Sequence, residues 1–510
     1  MARTVRYCLS DPGLTIYQRA ALGGLAATIQ AWGKSPPEGI TATFSSTEVT
    51  LGWGNDLTDR EATDRILQAA FRLTKDQLID LPGHQLPPDR VDTRAAIHDG
   101  ICATFLQHPK KRPGPGGERM IVLMSDEEPV PISYKPVSQY THQNTLPDKV
   151  IECDKNGDWP PSVQIPQSLI PGAIAGAESL TTTAAQGLLL AFLMVGSAVF
   201  LVRAGKGNEK ANACIVLPDV RDLKRFAKSV SRMANGRCGT YLGRFAGGVE
   251  EAALAFLLDL ETEQMGEDCG VSGAQAIAMG RVAWGGKNQN YRSLSVRMGR
   301  SYAEGRVFLA ARTHLSHTKL LKKKDGNGFA IPASPIPQLV AANLGANLHW
   351  CTSFRDLVAE RKDFRNILTQ SKGISHMKEA IESREDVALI DSFHAAWNMT
   401  MGALANRAST EGASFERLVE VERERIRNAI LRAKTGEALA NWFLRFCAEA
   451  TRGASLGPVR SNATIMRQFL FNPRNSDRLQ NLLLFALVSY SGENFRRNAE
   501  TTVGSQKQEN

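Results

Sequence analysis

The sequence predicts an α+β protein in which a mixed N-terminal body of short strands and helices precedes an all-α C-terminal helical bundle. Strand-like and helix-like segments alternate up to the prolines at 332–337, and from residue 338 onward only helical periodicity remains. A chain of 510 residues is also too long for one compact core, so we expect roughly two to four domains. The expected regions are an α+β N-terminal region (1–200), a basic α+β nucleic-acid-binding region (201–337) and the helical bundle (338–510).

The first predicted elements are a helix and a hairpin. Apolar residues at helical spacing predict a helix over residues 14–32. Gly23 and Gly24 stand inside it, and because glycine costs about 1 kcal/mol relative to alanine in a helix, the pair suggests close backbone packing. Apolar–polar alternation then predicts a β-hairpin with strands at 40–44 and 48–51, and a further helix is expected over 59–73.

The next part of the N-terminal region consists mainly of predicted loops. Residues 82–90 and 108–117 are rich in proline, glycine and charge, which is typical of loops. Residues 119–124 are a candidate for a short buried strand. Residues 129–172 contain many prolines and little periodicity, so we expect a long irregular connection.

One uncharged run allows two interpretations. Residues 179–202 contain no charged side chain, and the run is long enough to span a bilayer. Gln186, Gly187, Gly196 and Ser197 interrupt its apolar character. We therefore expect a fully buried element of a large core, with a membrane span as the alternative.

Positive charge is concentrated in the middle of the chain. The whole chain has a net charge of +9, and residues 201–340 contain 21 Lys/Arg against 12 Asp/Glu. Such asymmetry indicates a polyanionic partner held by this region. Three strands are predicted within it, at 211–217, 275–284 and 305–312.

A cationic stripe on a predicted helix after Pro218 is the strongest functional signal. Five cations recur at helical spacing and fall on one face of the helix: Arg221, Lys224, Arg225, Lys228 and Arg232. Apolar residues occupy the other face, and Asp219 and Asp222 are expected in the first turn, where the helix dipole favours acids. We expect the stripe to bind phosphates, and a solvated surface is the alternative.

Two further segments extend the candidate nucleic-acid interface. Gly285 and Gly286 begin a predicted loop, and after them comes a group of amides and cations that is expected to approach DNA: Lys287, Asn288, Gln289, Asn290 and Arg292. Amides can read base edges while cations fix the backbone, although a polar surface turn is the alternative. A lysine run later in the chain is expected to touch a nucleic-acid backbone or merely to aid solubility: Lys319, Lys322, Lys323 and Lys324.

The C-terminal region is predicted to be a bundle of amphipathic helices. They lie near 338–348, 353–370, 376–407, 414–434, 436–451, 461–471 and 476–490. Within the helix at 414–434, acids and arginines three residues apart are expected to pair as on a solvated face: Glu420 with Arg423, Glu422 with Arg425 and Glu424 with Arg427. The polar tail after Glu493 is expected to be frayed.

Signatures of catalysis are missing from the sequence. It contains no phosphate-binding G-x-x-x-x-G-K-[ST] loop and no H-E-x-x-H pair. None of the eight cysteines belongs to a CxxC pair, which disfavours a structural zinc finger and favours reduced thiols. His314 and His317 could share a helix face, but no further ligands are evident nearby. The sequence therefore predicts no metal site, no cofactor and no enzyme.

The run LTIYQRAALGGLAATIQAW at residues 14–32 resembles the N-terminus of the large subunit of type I CRISPR surveillance complexes (Cascade), in the Myxococcus-type, I-B-like branch. The chain length and the order of an α+β body and a helical bundle are also similar. The resemblance implies a non-enzymatic cytoplasmic subunit that recognises the protospacer-adjacent motif in duplex DNA. It further implies contact with the 5′ handle region of the guide RNA and stabilisation of the R-loop.

The same resemblance implies a set of partners. These are a guide RNA (crRNA), target double-stranded DNA and the backbone, handle-binding and small subunits of Cascade, with either a helicase-nuclease or transposition proteins and no membrane. The C-terminal bundle resembles the small subunit, which related I-B systems can make by internal translation. Met377 is the candidate start, and Met399 and Met401 are later options.

Two other classes of protein stay open. One is a metal-dependent nuclease whose carboxylates meet only in the folded chain. The other is a membrane-associated scaffold that uses residues 179–202.

Overall fold

The computed structural model of the protein divides the chain into two compact units, Met1–Ser301 and Tyr302–Asn510. It describes residues 3–104, 114–124, 129–142, 146–166, 169–171, 180–202, 212–235, 245–263, 268–284, 288–299, 304–315, 319–322, 328–331, 334–451 and 456–491. The tail that is predicted to be frayed after Glu493 lies outside these residues. The α+β class that the sequence predicts is confirmed.

The N-terminal unit begins with a three-stranded antiparallel sheet and a central helix. The strands are β1 (Arg3–Cys8), β2 (Ile40–Phe44) and β3 (Glu48–Trp53), in the order β1-β3-β2. Helix α1 (Ile16–Trp32) begins after Thr15, which forms a capping box with Gln18. The predicted helix and hairpin are confirmed, whereas β1 has no counterpart among the predictions.

Glycines allow α1 to pack closely against neighbouring segments. A Cβ atom on Gly24 would lie 2.5 Å from the backbone nitrogen of Gly196, and one on Gly196 would overlap the carbonyl oxygen of Ala20. A Cβ on Gly23 would lie 2.6 Å from a ring carbon of Phe226. Since interiors are close-packed and side chains cannot overlap, these positions require glycine. The predicted close packing at Gly23 and Gly24 is confirmed.

The uncharged run folds into four short elements. They are β9 (Leu180–Thr182), α4 (Ala184–Ala191), α5 (Leu193–Gly196) and β10 (Ala198–Val202). Residues 188–195 are at most 4% exposed, whereas Leu180 of β9 is 53% exposed, so the predicted buried element is confirmed in part. Within the part of the chain that the structure describes, none of the helices combines the length and apolar character that crossing a bilayer requires.

Small elements fill the rest of the first two hundred residues. They are α2 (Asp59–Ala70), β4 (Arg72–Leu73), β5 (Ile79–Asp80), α3 (Val91–Thr104), β6 (Arg119–Met124), β7 (Pro129–Tyr134) and β8 (Val163–Ile165). The strand predicted at 119–124 is confirmed, and the helix predicted over 59–73 is confirmed as far as Ala70, since residues 72–73 form β4. The irregular connection predicted over 129–172 is wrong in part, because β7 pairs with β6 and β8 with β9. Pro129 and Pro131 are tolerated because β7 lies at the edge of a two-stranded sheet.

A five-stranded sheet forms the second layer of the N-terminal unit. Its order is β12 (Phe245–Ala246), β10, β11 (Asn212–Val220), β13 (Val271–Trp284) and β14 (Asn288–Gly299). All neighbouring pairs are antiparallel except β10 and β12. Helices α6 (Leu223–Asn235) and α7 (Val249–Glu263) connect the strands, and α6 packs against α1. The strands predicted at 211–217 and 275–284 are confirmed.

The C-terminal unit opens with a helix where a strand is predicted. Residues 305–312 belong to α8 (Gly305–Leu315). A short apolar run around Phe308 has no periodicity that separates a buried strand from a buried helix, so the prediction is wrong. A small hairpin follows, with strands β15 (Lys319–Lys322) and β16 (Gly328–Ile331).

Helices account for all remaining regular structure between residues 334 and 491, within the described ranges. They are α9 (Ile336–Gly345), α10 (Phe354–Val358), α11 (Arg361–Leu368), α12 (Ser371–Glu379), α13 (Arg384–Glu411), α14 (Phe415–Arg432), α15 (Gly436–Ala450), α16 (Gly457–Ser461), α17 (Ala463–Leu470) and α18 (Ser476–Ser489), with one short 3₁₀ turn before α18. Every residue of α18 from Leu479 onward is buried, so this helix is the centre of the bundle. The helices predicted over 353–370 and 376–407 are each divided in two, whereas the helix predicted over 461–471 is confirmed as α17. Ser383 causes one of these breaks, since its hydroxyl caps α13 by accepting a hydrogen bond from the backbone of Asp386.

Candidate nucleic-acid interface

The predicted cationic helix is α6, and it has the amphipathic form that the sequence predicts. Leu223, Phe226 and Val230 are at most 2% exposed. Lys224, Arg225 and Lys228 are exposed on the other side, as is Arg221 before the helix, while Arg232 is half-buried. One face therefore packs into the N-terminal unit, and the other presents cations.

The start of α6 is held firmly by its surroundings. Asp222 caps the helix, because its Oδ1 accepts a hydrogen bond from the backbone nitrogen of Arg225 at 3.0 Å. The backbone nitrogens of Arg221 and Asp222 both donate to the carbonyl oxygen of Gly270. Leu223 donates its backbone N–H to the carbonyl of Ser46 in the β2–β3 turn. The helix therefore leaves the sheet in a fixed direction.

Asp219 does not lie in the first turn of α6, and this prediction is wrong. It belongs to β11 and is buried. Its carboxylate contacts Arg19 at 2.5 Å, Arg221 at 2.9 Å and the hydroxyl of Ser272 at 3.0 Å. Burial raises the pKa of Asp219, but the hydrogen bonds and positive charges around it outweigh burial and lower the pKa below its ordinary value.

Acids outside the helix neutralise part of the cationic stripe. Arg221 pairs with Asp219, and Arg225 Nη1 lies 2.9 Å from Asp268 Oδ2. Asp268 is 43 residues away along the chain, so helical spacing could not reveal this pair. Lys224 and Lys228 carry exposed ammonium groups on the same face and are further candidates for phosphate contacts.

The predicted base-reading segment is largely a strand rather than a loop. Asn288, Gln289, Asn290 and Arg292 lie on β14, while Lys287 is outside the described residues. In the antiparallel register with β13, Asn288 pairs with Trp284 and Asn290 with Val282. The loop prediction fails here because cross-strand pairing overrides the low strand preference of amides. Helix α7 packs against both α6 and β14, which links this segment to the cationic helix.

The lysine run belongs to the C-terminal unit. Lys319 and Lys322 lie on β15, paired with Ile331 and Gly328 of β16. Lys323 and Lys324 lie outside the described residues. The structure thus brings residues 221–232 together with β14 in one unit, whereas the lysine run belongs to the other.

The solvated face predicted on α14 is only partly correct. Two of the three predicted pairs form, namely Glu422 with Arg425 and Glu424 with Arg427. Glu420 instead binds Arg365 of α11. Arg427 is buried, and its guanidinium lies 5.1 Å from the centre of the Phe364 ring. This part of α14 therefore packs into the bundle.

A cluster of titratable side chains in the C-terminal unit has no signal in the sequence. Glu304 precedes α8, His349 follows α9 and Asp386 lies in the first turn of α13. One ligand atom from each lies within 4.8 Å of the others. Burial raises the pKa of Glu304, and the negative charge of Asp386 adds to this effect. Residues so far apart along the chain form no spacing motif that a sequence reading could detect.

Of the two histidines that could share a helix face as metal ligands, only His314 lies in the part of the chain that the structure describes. His317 lies outside the described residues. His314 stacks on His376, with ring centres 4.1 Å apart.

Comparisons with known proteins agree with this architecture. A family model described as the DevT N-terminal domain matches residues 6–191, and one described as the DevT C-terminal domain matches residues 377–510. The chain is also 26% identical to the CRISPR-associated protein Cas8a1/Csx13 of Myxococcus xanthus (strain DK1622), over 95% of this chain and 88% of that protein.

An α+β body followed by a helical bundle, with these matches at both ends, defines the large subunit of a CRISPR Cascade complex. The chain belongs to the DevT family, which is the Myxococcus-type branch of these subunits. The resemblance at residues 14–32 is therefore confirmed.

Proposed function

We propose that this Cascade subunit recognises the protospacer-adjacent motif in duplex DNA, contacts the 5′ handle region of the guide RNA and stabilises the R-loop. The observation that carries this proposal is the exposed cationic face of α6, whose opposite face is buried in the N-terminal unit. Charges on a rigid element can hold a phosphate backbone in one position. The subunit acts in the cytoplasm and leaves cleavage of the target to a partner.

The two parts of the interface have different tasks in this proposal. Lys224 and Lys228, helped by Arg221, Arg225 and Arg232, hold phosphates and give affinity for any sequence. The amides of β14 approach base edges and distinguish the motif. Asn288 and Asn290 occupy alternate positions of one strand and therefore lie on the same face of the sheet.

The C-terminal bundle is proposed to serve also as a separate small subunit. The DevT C-terminal match begins at residue 377, which is the candidate start Met377. A product of residues 377–510 contains α13 to α18, including the central helix α18. Mass spectrometry of the complex purified from its host should find bundle-sized chains that begin at Met377. Full-length chain alone would refute internal translation.

The experiment for the main proposal is reconstitution of the complex with a guide RNA. The affinity of the reconstituted complex is then measured for DNA duplexes that all contain the target of the guide and differ only in the bases that flank it. We expect tight binding with one set of flanking bases and much weaker binding with the others. Equal binding to all flanks would refute motif recognition. Metal-dependent cleavage of DNA by the purified chain would favour a nuclease instead.

A further inference from the structure

Three side chains from separate segments of the C-terminal unit converge on one point. His349 Nε2 lies 2.8 Å from Asp386 Oδ2 and 3.9 Å from Glu304 Oε1. The Asp386 side chain is fully buried, and the other two are largely buried. No sequence pattern or family match assigns a role to this cluster.

The distances suit ligands of a single metal ion. Nitrogen and oxygen ligands lie about 2.0–2.2 Å from Zn²⁺, so two ligands of one ion are separated by roughly 3–4 Å. The two measured separations lie close to this range, and the third is below 4.8 Å. Closing the cluster around an ion thus needs only small side-chain movements.

The donor set selects the type of ion. One imidazole nitrogen and two carboxylate oxygens suit Zn²⁺, Mn²⁺ or Fe²⁺, whereas Mg²⁺ and Ca²⁺ prefer oxygen ligands alone. The carboxylates of Glu304 and Asp386 provide two negative charges, and Arg478 offsets one of them. The remaining charge favours a cation at this point.

Neighbouring groups already orient two of the three ligands. Arg478 donates to Asp386 Oδ1 from Nη2 at 2.7 Å and from Nε at 3.0 Å, which turns Oδ2 toward His349. Cys351 Sγ lies 3.2 Å from His349 Nδ1, the ring nitrogen that points away from the carboxylates. Hydrogen-bond donors such as Arg478 fix the carboxylate of metal ligands in known sites.

We propose that Glu304 Oε1, His349 Nε2 and Asp386 Oδ2 bind one first-row divalent transition-metal ion. The ion joins the start of α8 and the turn after α9 to α13 and so stabilises the C-terminal unit. A small subunit that begins at Met377 has Asp386 but neither Glu304 nor His349. The site therefore belongs to the full-length chain alone.

Zinc binding to the full-length chain tests this proposal. Protein treated with a chelator is titrated with Zn²⁺ by calorimetry, and the unfolding temperature is followed with and without the ion. We expect one Zn²⁺ per chain at the cluster and a rise in unfolding temperature. Glu304→Gln and His349→Gln should each weaken this binding at least about tenfold.

A neighbouring acid provides the matched control. Glu385 precedes Asp386 and pairs with Arg478 at 3.2 Å, but its carboxylate is outside the ligand set. Glu385→Gln should bind Zn²⁺ as the wild type does. Absence of Zn²⁺ binding, or binding that survives both ligand substitutions, would overturn the proposal and leave a hydrogen-bonded network. Circular dichroism shows whether each variant is folded before its affinity is compared.

Discussion

Arg19 of α1 and Asp219 of β11 form an ion pair, with 2.5 Å between Arg19 Nε and Asp219 Oδ1, although 200 residues separate them. Arg19 lies in the run that resembles Cascade large subunits, and Asp219 lies three residues before the cap of the cationic helix α6. The same carboxylate accepts hydrogen bonds from Arg221 and Ser272. The N-terminal helix and the base of the proposed DNA-binding face are therefore joined at one buried acid.

The first prediction concerns this buried pair. Arg19→Ala leaves the Asp219 carboxylate with fewer donors in a buried site, so we expect the free energy of unfolding to fall by about 1.5–3 kcal/mol. Denaturant titration followed by circular dichroism measures the loss. Arg6 is the matched control, because its ion pair with Glu48 is exposed and its removal should change stability little. Equal effects of the two substitutions would contradict the structural role of the pair.

The second prediction tests the close contact between α1 and α5. A methyl group at Gly196 would overlap the carbonyl of Ala20. Gly196→Ala should therefore lower the free energy of unfolding of the N-terminal unit by about 1–3 kcal/mol. Gly402 in α13 is the control, since a Cβ there meets nothing within 4 Å. Gly402→Ala should stabilise its helix by about 0.5–1 kcal/mol. Opposite shifts in unfolding temperature are expected, and a stabilising Gly196→Ala would disprove the contact.

The third prediction concerns pH and the buried ring of His142. Burial lowers the pKa of His142 to about 3, and neither ring nitrogen has a hydrogen-bond partner. An unfolded chain binds a proton on this ring below about pH 6.5, whereas the folded chain does not. Folding stability should therefore decrease as the pH falls from 6.5 toward 3, by up to about 1.4 kcal/mol per pH unit from this group.

His142→Phe removes that contribution while keeping a ring beside Phe71 and Tyr140. Unfolding free energies at pH 7, 5.5 and 4.5 should show a shallower loss in the variant than in the wild type. His84, whose pKa burial lowers to about 4, is present in both proteins and cancels from the comparison. Parallel pH curves would show that His142 does not titrate as described.

The fourth prediction concerns the amides of β14. Asn288→Ala or Asn290→Ala should reduce the preference for the correct flanking motif by about 1–3 kcal/mol if the residue makes a good base contact. Affinity for duplexes without the motif should change little. Competition binding between duplexes with and without the motif measures this difference. A uniform loss on all duplexes would instead place these residues on the backbone.

Much of the N-terminal fold follows from local sequence patterns. The α1 helix, the β2–β3 hairpin and the buried part of the run at 179–202 are predictable because their periodicity or apolar length is strong. The α8 helix is not, because its short apolar run suits a buried strand equally well. Strand β7 is also missed, since its prolines disfavour a strand and pairing with the separate strand β6 stabilises it.

In the candidate sites too, local sequence patterns predict some features and miss contacts between residues that are far apart along the chain. Helical spacing predicts which cations of α6 share a face, but it cannot reveal that Asp268 neutralises Arg225. The cluster of Glu304, His349 and Asp386 is invisible in the sequence because three separate segments supply its members. Local periodicity predicts faces of helices, whereas contacts between distant segments depend on the complete fold.

The salt dependence of DNA binding tests the central claim most directly, namely that the exposed cations of α6 hold a polynucleotide. In the assembled complex, affinity for duplex DNA is measured over a range of salt concentrations for wild type, the double variant Lys224→Ala/Lys228→Ala and the control Arg6→Ala. We expect the double variant to bind every sequence more weakly and to lose about two units of slope in log K against log salt, while the control keeps the wild-type slope. Unchanged affinity and slope in the double variant would contradict the claim.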